Sequence, residues 1–119
     1  MSELNYACYT GNIDKVKEIL ASNVDVNMKD SDGHTSLHLA CWKSHEDVVQ
    51  VLLNIGADVN IKDKDGDTAL HFACSSGNRT IVMGLLEHGA IYNIMNNEEC
   101  TPSDTAYCFG YTEIEEMLK

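Results

Sequence analysis

The chain reads as an all-α solenoid, a row of stacked helix-turn-helix units joined by β-turn or hairpin loops. Residues 30–62 recur when 33 is added to each number. Gly33 falls on Gly66, Thr35 on Thr68, Leu37 on Leu70, His38 on His71, Ala40 on Ala73, Gly56 on Gly89 and Asn60 on Asn93. A fixed period of this length marks one supersecondary unit stacked on copies of itself. Each copy holds apolar runs at helical spacing, and the terminal copies lose complementary parts of their apolar surface, as end units of a stack must.

Residues 1–119 form one domain of four units, at 2–29, 30–62, 63–95 and 96–119. In the first unit Leu4, Ala7 and Cys8 have helical spacing, Gly11-Asn12 breaks the helix, and Ile13–Leu20 supplies a second. Asn23 stands where later copies have Gly56 and Gly89, the left-handed cap position that asparagine tolerates second-best. The second and third units each open with a turn around Gly33 or Gly66. Thr35 and Thr68 are placed as N-caps for short helices over Leu37–Lys43 and Leu70–Ser76. Longer helices follow over His45–Asn54 and Asn78–His88, and Gly56 or Gly89 ends them. The fourth unit is degenerate: Glu99 replaces the turn glycine, Ser103 the leucine and Asp104 the histidine. Its Pro102 follows Thr101 at a first helical turn, where a missing N–H does no harm.

The two ends differ in which apolar positions they lose. Lys15 and Glu18 replace Val48 and Val51, whereas Val16, Ile19 and Leu20 stay apolar. In the last unit Glu115 and Lys119 replace Val49 and Leu53, whereas Ile114, Met117 and Leu118 stay apolar. The first unit has thus lost its backward-facing positions and the last its forward-facing ones, which implies a closed four-unit stack.

With 8 basic against 19 acidic residues, a formal charge of -11, the chain is a poor partner for phosphate backbones and anionic membranes. That charge favours another protein with a basic segment. No apolar run reaches the roughly 18 residues of a transmembrane helix, and Met1-Ser2-Glu3 begins no signal peptide. Five cysteines, an odd count, are expected as reduced thiols in the cytoplasm or nucleus of a monomeric protein.

Thr35-Ser36-Leu37-His38-Leu39-Ala40 and Thr68-Ala69-Leu70-His71-Phe72-Ala73, with Gly56-Ala57-Asp58-Val59-Asn60, resemble the ankyrin repeat. That family's pattern is Thr-Pro-Leu-His-x-Ala within 33 residues. The departures are Ser36 and Ala69 for proline, Ser44 for glycine, and the degenerate ends. The four-unit layout is similar to myotrophin-like stand-alone members. The run Asn23-Val24-Asp25-Val26-Asn27 is also similar to the ankyrin modules of acyl-CoA-binding-domain proteins, which would imply a regulatory accessory of a lipid carrier. The resemblance implies that His38 and His71 are structural, bonding within and between repeats. It also implies that Asn27, Asn60 and Asn93 occupy a turn position open to asparagine hydroxylases, with Asn60 the favoured one.

No enzyme motif and no cofactor site is present. Cys8, Cys41 and Cys74 are one structural position repeated, expected to be buried in place of alanine. Pairing His38 with Cys41 and His71 with Cys74 matches no zinc spacing. Asp63-Lys64-Asp65-Gly66-Asp67 fails as a calcium loop, because its glycine is fourth and position 12 is Cys74.

Function is therefore sought on the surface, in a non-catalytic module that binds another protein. In ankyrin repeats partners meet the turn tips and the concave side of the first helix. Carried over, that implies Tyr9, Thr10, Trp42, Lys43, Ser75, Ser76 and Phe109 on the helices, with Asp32, His34, Asp65 and Asp67 at the tips. Tyr9 and Trp42 are 33 apart, so they should be neighbours, and adjacent exposed aromatics make effective anchors.

Overall fold

The computed structural model describes residues 2–119. Eight helices are present among them: α1 Glu3–Thr10, α2 Ile13–Leu20, α3 Ser36–Trp42, α4 Glu46–Asn54, α5 Ala69–Ser76, α6 Arg79–Glu87, α7 Pro102–Cys108 and α8 Thr112–Met117. No strand occurs among the described residues. Odd-numbered helices pack in one row, α1 on α3 on α5 on α7, and α2, α4 and α6 pack in a second row behind it. The stack measures 39 × 25 × 22 Å.

The first helix of each repeat starts where a hydroxyl can cap it. Thr35 Oγ1 accepts from His38 N and Thr68 Oγ1 from His71 N, while Ser2 and Thr101 do the same for Asn5 and Asp104. These caps satisfy amides that the first turn leaves without partners. Pro102 is the first residue of α7, as its missing N–H requires. The core between the rows is built from Leu37, Ala40, Cys41, Val48, Leu52, Leu70, Ala73, Cys74, Ile81 and Leu85.

The second helices face one another along the second row. A Cβ on Gly84 would lie 3.5 Å from Leu53 Cδ1, so α6 looks back at the forward face of α4 across that pair. Ile114 and Leu118 are buried, whereas Glu18 and Lys119 face solvent and Lys15 and Glu115 are half-buried.

Hairpin turns join the repeats. Asp30 N donates to His34 O at 2.9 Å, Asp63 N to Asp67 O at 3.0 Å, and Asn96 N to Cys100 O at 2.9 Å. Successive turns are also bonded to one another, through Lys64 N to Asp32 O at 3.1 Å and Asn97 N to Asp65 O at 2.9 Å. That approach is tight: a Cβ on Gly66 would meet Asn97 N at 2.8 Å, and its φ of +78° is in the left-handed region. Glycine is required there on both counts.

One expectation fails. Asn23 does not adopt the left-handed conformation, because Ser44 (φ 59°) and Glu99 (φ 62°) are the only non-glycine residues with positive φ among those described. In the second repeat Ala57 N closes back onto Leu52 O at 3.1 Å through the left-handed Gly56. In the first repeat Val24 N instead turns onto Ser22 O at 3.0 Å. Asn23 would spend roughly 1 kcal/mol or more in the left-handed region, and the chain gives up the longer bond.

Ser44 accepts that cost. Its counterparts Gly11 and Gly77 lie directly under His45 and Tyr111, where a Cβ would come within 2.6 Å and 2.5 Å of the ring. Below Ser44 the equivalent residue is Asn78, which directs its amide to Glu46 Oε2 at 3.2 Å. Ser44→Gly is expected to raise stability by about 1 kcal/mol, measured as a shift in the urea midpoint at unchanged slope.

The histidines show how neighbouring repeats are tied. Thr35 N donates to His38 Nδ1 at 3.0 Å, so that nitrogen is the acceptor and the proton is on Nε2, which donates to Asp67 O at 2.9 Å. Burial pushes His38 below the ordinary histidine value, although the Asp67 carbonyl and the Asp63 charge oppose the shift. The folded state therefore holds His38 neutral where the unfolded chain would protonate it. This contribution is complete above about pH 6.5 and falls as the pH drops below it. His38→Asn is expected to cost roughly 1–3 kcal/mol at pH 8. Because the variant lacks this titration, its deficit relative to the parent should narrow at pH 5, as read by paired denaturation curves.

Candidate functional site

Stacking at a 33-residue offset places the C-terminal ends of α1, α3 and α5 in a line, and aromatic side chains occupy it. Tyr9 meets Trp42 edge-to-face with ring centroids 5.9 Å apart. Trp42 continues to Phe72 at 6.3 Å, and Phe72 meets His34 edge-to-face at 5.6 Å. Trp42 is 46% exposed, while Tyr9 and Phe72 are half-buried. The expected neighbours are therefore in contact and open to water. Lys43 Nζ lies 5.0 Å from the Tyr9 centroid and 5.1 Å from that of Trp42.

Thr10 is exposed at the rim, its hydroxyl donating to Tyr6 O at 3.0 Å. Ser75 and Ser76 have their hydroxyls turned inward. Ser75 Oγ donates to Phe72 O, and Ser76 Oγ lies within 3.0 Å of Trp42 O and 3.2 Å of Cys41 O. Ser76 thus satisfies carbonyls at the end of α3 and fixes the backbone that carries Trp42. Phe109 is 60% exposed, stacked on Tyr111 at 6.4 Å. It shares a groove of about 260 Å³ with Phe72, Ser75, Asp67 and Cys108, which brings the far end of the row within the same face.

Of the tip residues, Asp32 and Asp65 are exposed. Asp67 is half-buried, with Oδ1 accepting from Asn96 Nδ2 at 2.8 Å. His34 is wedged between two repeats, with Nε2 3.2 Å from Asp63 Oδ2 and Nδ1 3.6 Å from Asp30 Oδ2. Asp63 Oδ2 is shut off from solvent and has no aligned hydrogen-bond donor.

Phe72 joins the row unforeseen. It is the variable residue of Leu-His-x-Ala, and the periodic signal that found Tyr9 and Trp42 also defines the series Tyr6, Leu39, Phe72 and Thr105. Asn5 is a second residue that the repeat pattern explains only afterwards. It occupies the histidine position of the first repeat, is buried, and accepts from Ser36 Oγ of the second repeat.

The turn carboxylates are spent on backbone. Asp30 Oδ1 accepts from Asp32 N and His34 N, and Asp63 Oδ1 from Asp65 N and Asp67 N, at 2.8–3.0 Å. Asn96 Oδ1 makes the same two bonds to Glu98 N and Cys100 N, so a neutral amide fills the position as well as a carboxylate. The ring nitrogens of His38 and His71 are likewise occupied, His71 Nε2 facing Cys100 O at 2.9 Å. The three stacked cysteines are buried. Burial lifts the thiol of Cys8 to about 11, with a hydrogen bond from Ser36 opposing, and that of Cys74 to about 12. Cys41 is raised further by burial.

These features define a helical-repeat scaffold that presents one continuous side-chain surface on a hydrogen-bonded frame. The family described as Ankyrin repeats (3 copies) matches residues 2–63 and 55–119, and the chain belongs to it. No curated protein matches the sequence. Ankyrin repeats are generally protein–protein interaction modules, and the family is typically non-catalytic.

The thiols give a direct check on the stack. Under native conditions an alkylating reagent is expected to modify exposed Cys108 first and half-buried Cys100 more slowly. Cys8, Cys41 and Cys74 should react only after denaturant is added, as read by intact mass.

Proposed function

We propose that the chain is a non-catalytic adaptor or regulator that holds a segment of another protein along the first-helix row and the turn tips. The observation that carries this reading is the contact of half-buried Tyr9 with exposed Trp42, extended by Phe72 on a frame bonded from repeat to repeat. Rigid aromatics bring large contact area at small cost in conformational entropy. A preformed surface leaves little to be ordered on binding. The acidic tips at Asp32 and Asp65, on a chain of formal charge -11, favour a partner with a basic segment. Such a chain acts as a monomer in the cytoplasm or nucleus. Asn60 is the residue offered to an asparagine hydroxylase, although Nδ2 donates to Gly89 O and Oδ1 accepts from Ile91 N, so the turn must open first.

Tyr9→Ala and Trp42→Ala are expected to abolish capture of the binding partner while lowering stability by less than about 1.5 kcal/mol, the edge-to-face contact being the main loss. Met83→Ala, at an exposed position on α6, should leave capture intact. Capture that survives both aromatic substitutions, or thermal unfolding that collapses with them, would remove this surface from the function.

A further inference from the structure

Lys43 occupies an unusual place on this face. Its ammonium makes no ion pair or hydrogen bond among the described residues, on a chain with 19 acidic side chains. It lies instead over two rings at once, at 5.0 Å from Tyr9 and 5.1 Å from Trp42. A cation within about 6 Å of a ring centroid is held by the ring quadrupole, and tryptophan is the strongest host. The exposed edge-to-face pair thus forms a seat that accepts a positive charge, and the chain's own lysine fills it. From that seat the aromatic row runs through Phe72 to His34, which abuts Asp30 and Asp63.

We propose that the Tyr9–Trp42 seat receives an arginine of a basic segment in another protein, and that Lys43 is an internal competitor which that arginine displaces. The proposal rests on the binding reading above and names the chemistry of its anchor. Arginine suits the seat better than lysine does, because its planar guanidinium stacks on rings and is more weakly hydrated than an ammonium. The seat is half-open, with Trp42 46% exposed, so an extended segment reaches it without any opening of the fold. The charge of the occupant follows from the formal charge of -11 and from the exposed Asp32 and Asp65 of the turn tips on either side of His34. Lys43 holds a lower-affinity version of the same contact, so in the free protein the half-open seat is held by a group that leaves easily.

The test uses the intact chain and a fluorescein-labelled peptide, acetyl-Ala-Lys-Gly-Arg-Gly-Lys-Ala-amide, with a control in which citrulline replaces arginine. Binding is read by anisotropy at fixed ionic strength. Trp42 is the only tryptophan, so its emission reports the seat directly in every variant that keeps it. Lys43→Ala is expected to tighten arginine-peptide binding roughly five-fold, the scale of the cation–π contact it vacates. Lys64→Ala, which removes an equal charge from a turn tip, should change binding less than two-fold by the same electrostatic argument of about one screened charge. The gain should vanish in the Tyr9→Ala/Lys43→Ala double variant and with the citrulline peptide. In the parent protein the Lys43 ε-methylene resonance should be shifted upfield by the rings and return toward its ordinary position as peptide is added.

Peptide binding that needs Trp42 but is unchanged or weakened by Lys43→Ala would overturn the competitor assignment and leave the binding surface standing. Binding indifferent to Trp42→Ala, or absent in every variant, would overturn the seat itself. A dimer of the chain that tightens with Lys43→Ala in sedimentation velocity would assign the seat to a second copy, and also overturn the proposal.

Discussion

Each interior repeat offers a hydrogen-bond donor at its first helix to a backbone carbonyl of the next repeat's turn. His38 reaches Asp67 O and His71 reaches Cys100 O, each 29 residues ahead. The same imidazole holds its own helix start through Nδ1, so one ring sets the position of the helix and the position of the following turn together. Other links step a full 33 residues, Lys29 Nζ to Lys62 O and Lys62 Nζ to Met95 O. A buried neutral histidine accepts along the chain and donates across it from a single rigid plane.

The outer repeats depart from this link. Asn5 replaces the histidine at the first joint and accepts from Ser36 Oγ, so it ties to the second repeat's helix rather than to its turn. Asp104 replaces it in the fourth repeat, where Oδ2 accepts from Thr101 N and nothing is offered onward. Glu99 likewise sits in the left-handed region where Gly66 is pressed by Asn97. Side chains return to positions from which the following turn excludes them.

The period of 33 makes the helices, their threonine caps and the buried cysteine position legible in the sequence, because each depends on residues within one turn of the chain. Adjacency of Tyr9 and Trp42 was legible for the same reason, since equal offsets stack. What escaped depends on side-chain direction. Ser76 looks like a surface serine in sequence, yet its hydroxyl ends on carbonyls of the previous repeat. His34 looks like a loop histidine, yet it bridges carboxylates of two turns. Phe72 was hidden because the series it belongs to alternates between the exposed Tyr6 and the buried Leu39, so exposure at one member says nothing of the next. Asn23 departs from the pattern because a cap position that loses its glycine need not keep its backbone geometry.

The first-helix row is built from one kind of joint, α1 on α3, α3 on α5 and α5 on α7. The joints leaving residues 30–62 and 63–95 share their backbone and histidine bonds, yet His34 faces Asp63 at the first and Asp67 faces Asn96 at the second. A copied unit would inherit the frame and still meet a mismatch, His45 over the Cβ of Ser44 or Asp63 beside Asp67. Lengthening the aromatic row by one unit therefore takes a substitution at the new joint as well as the duplication.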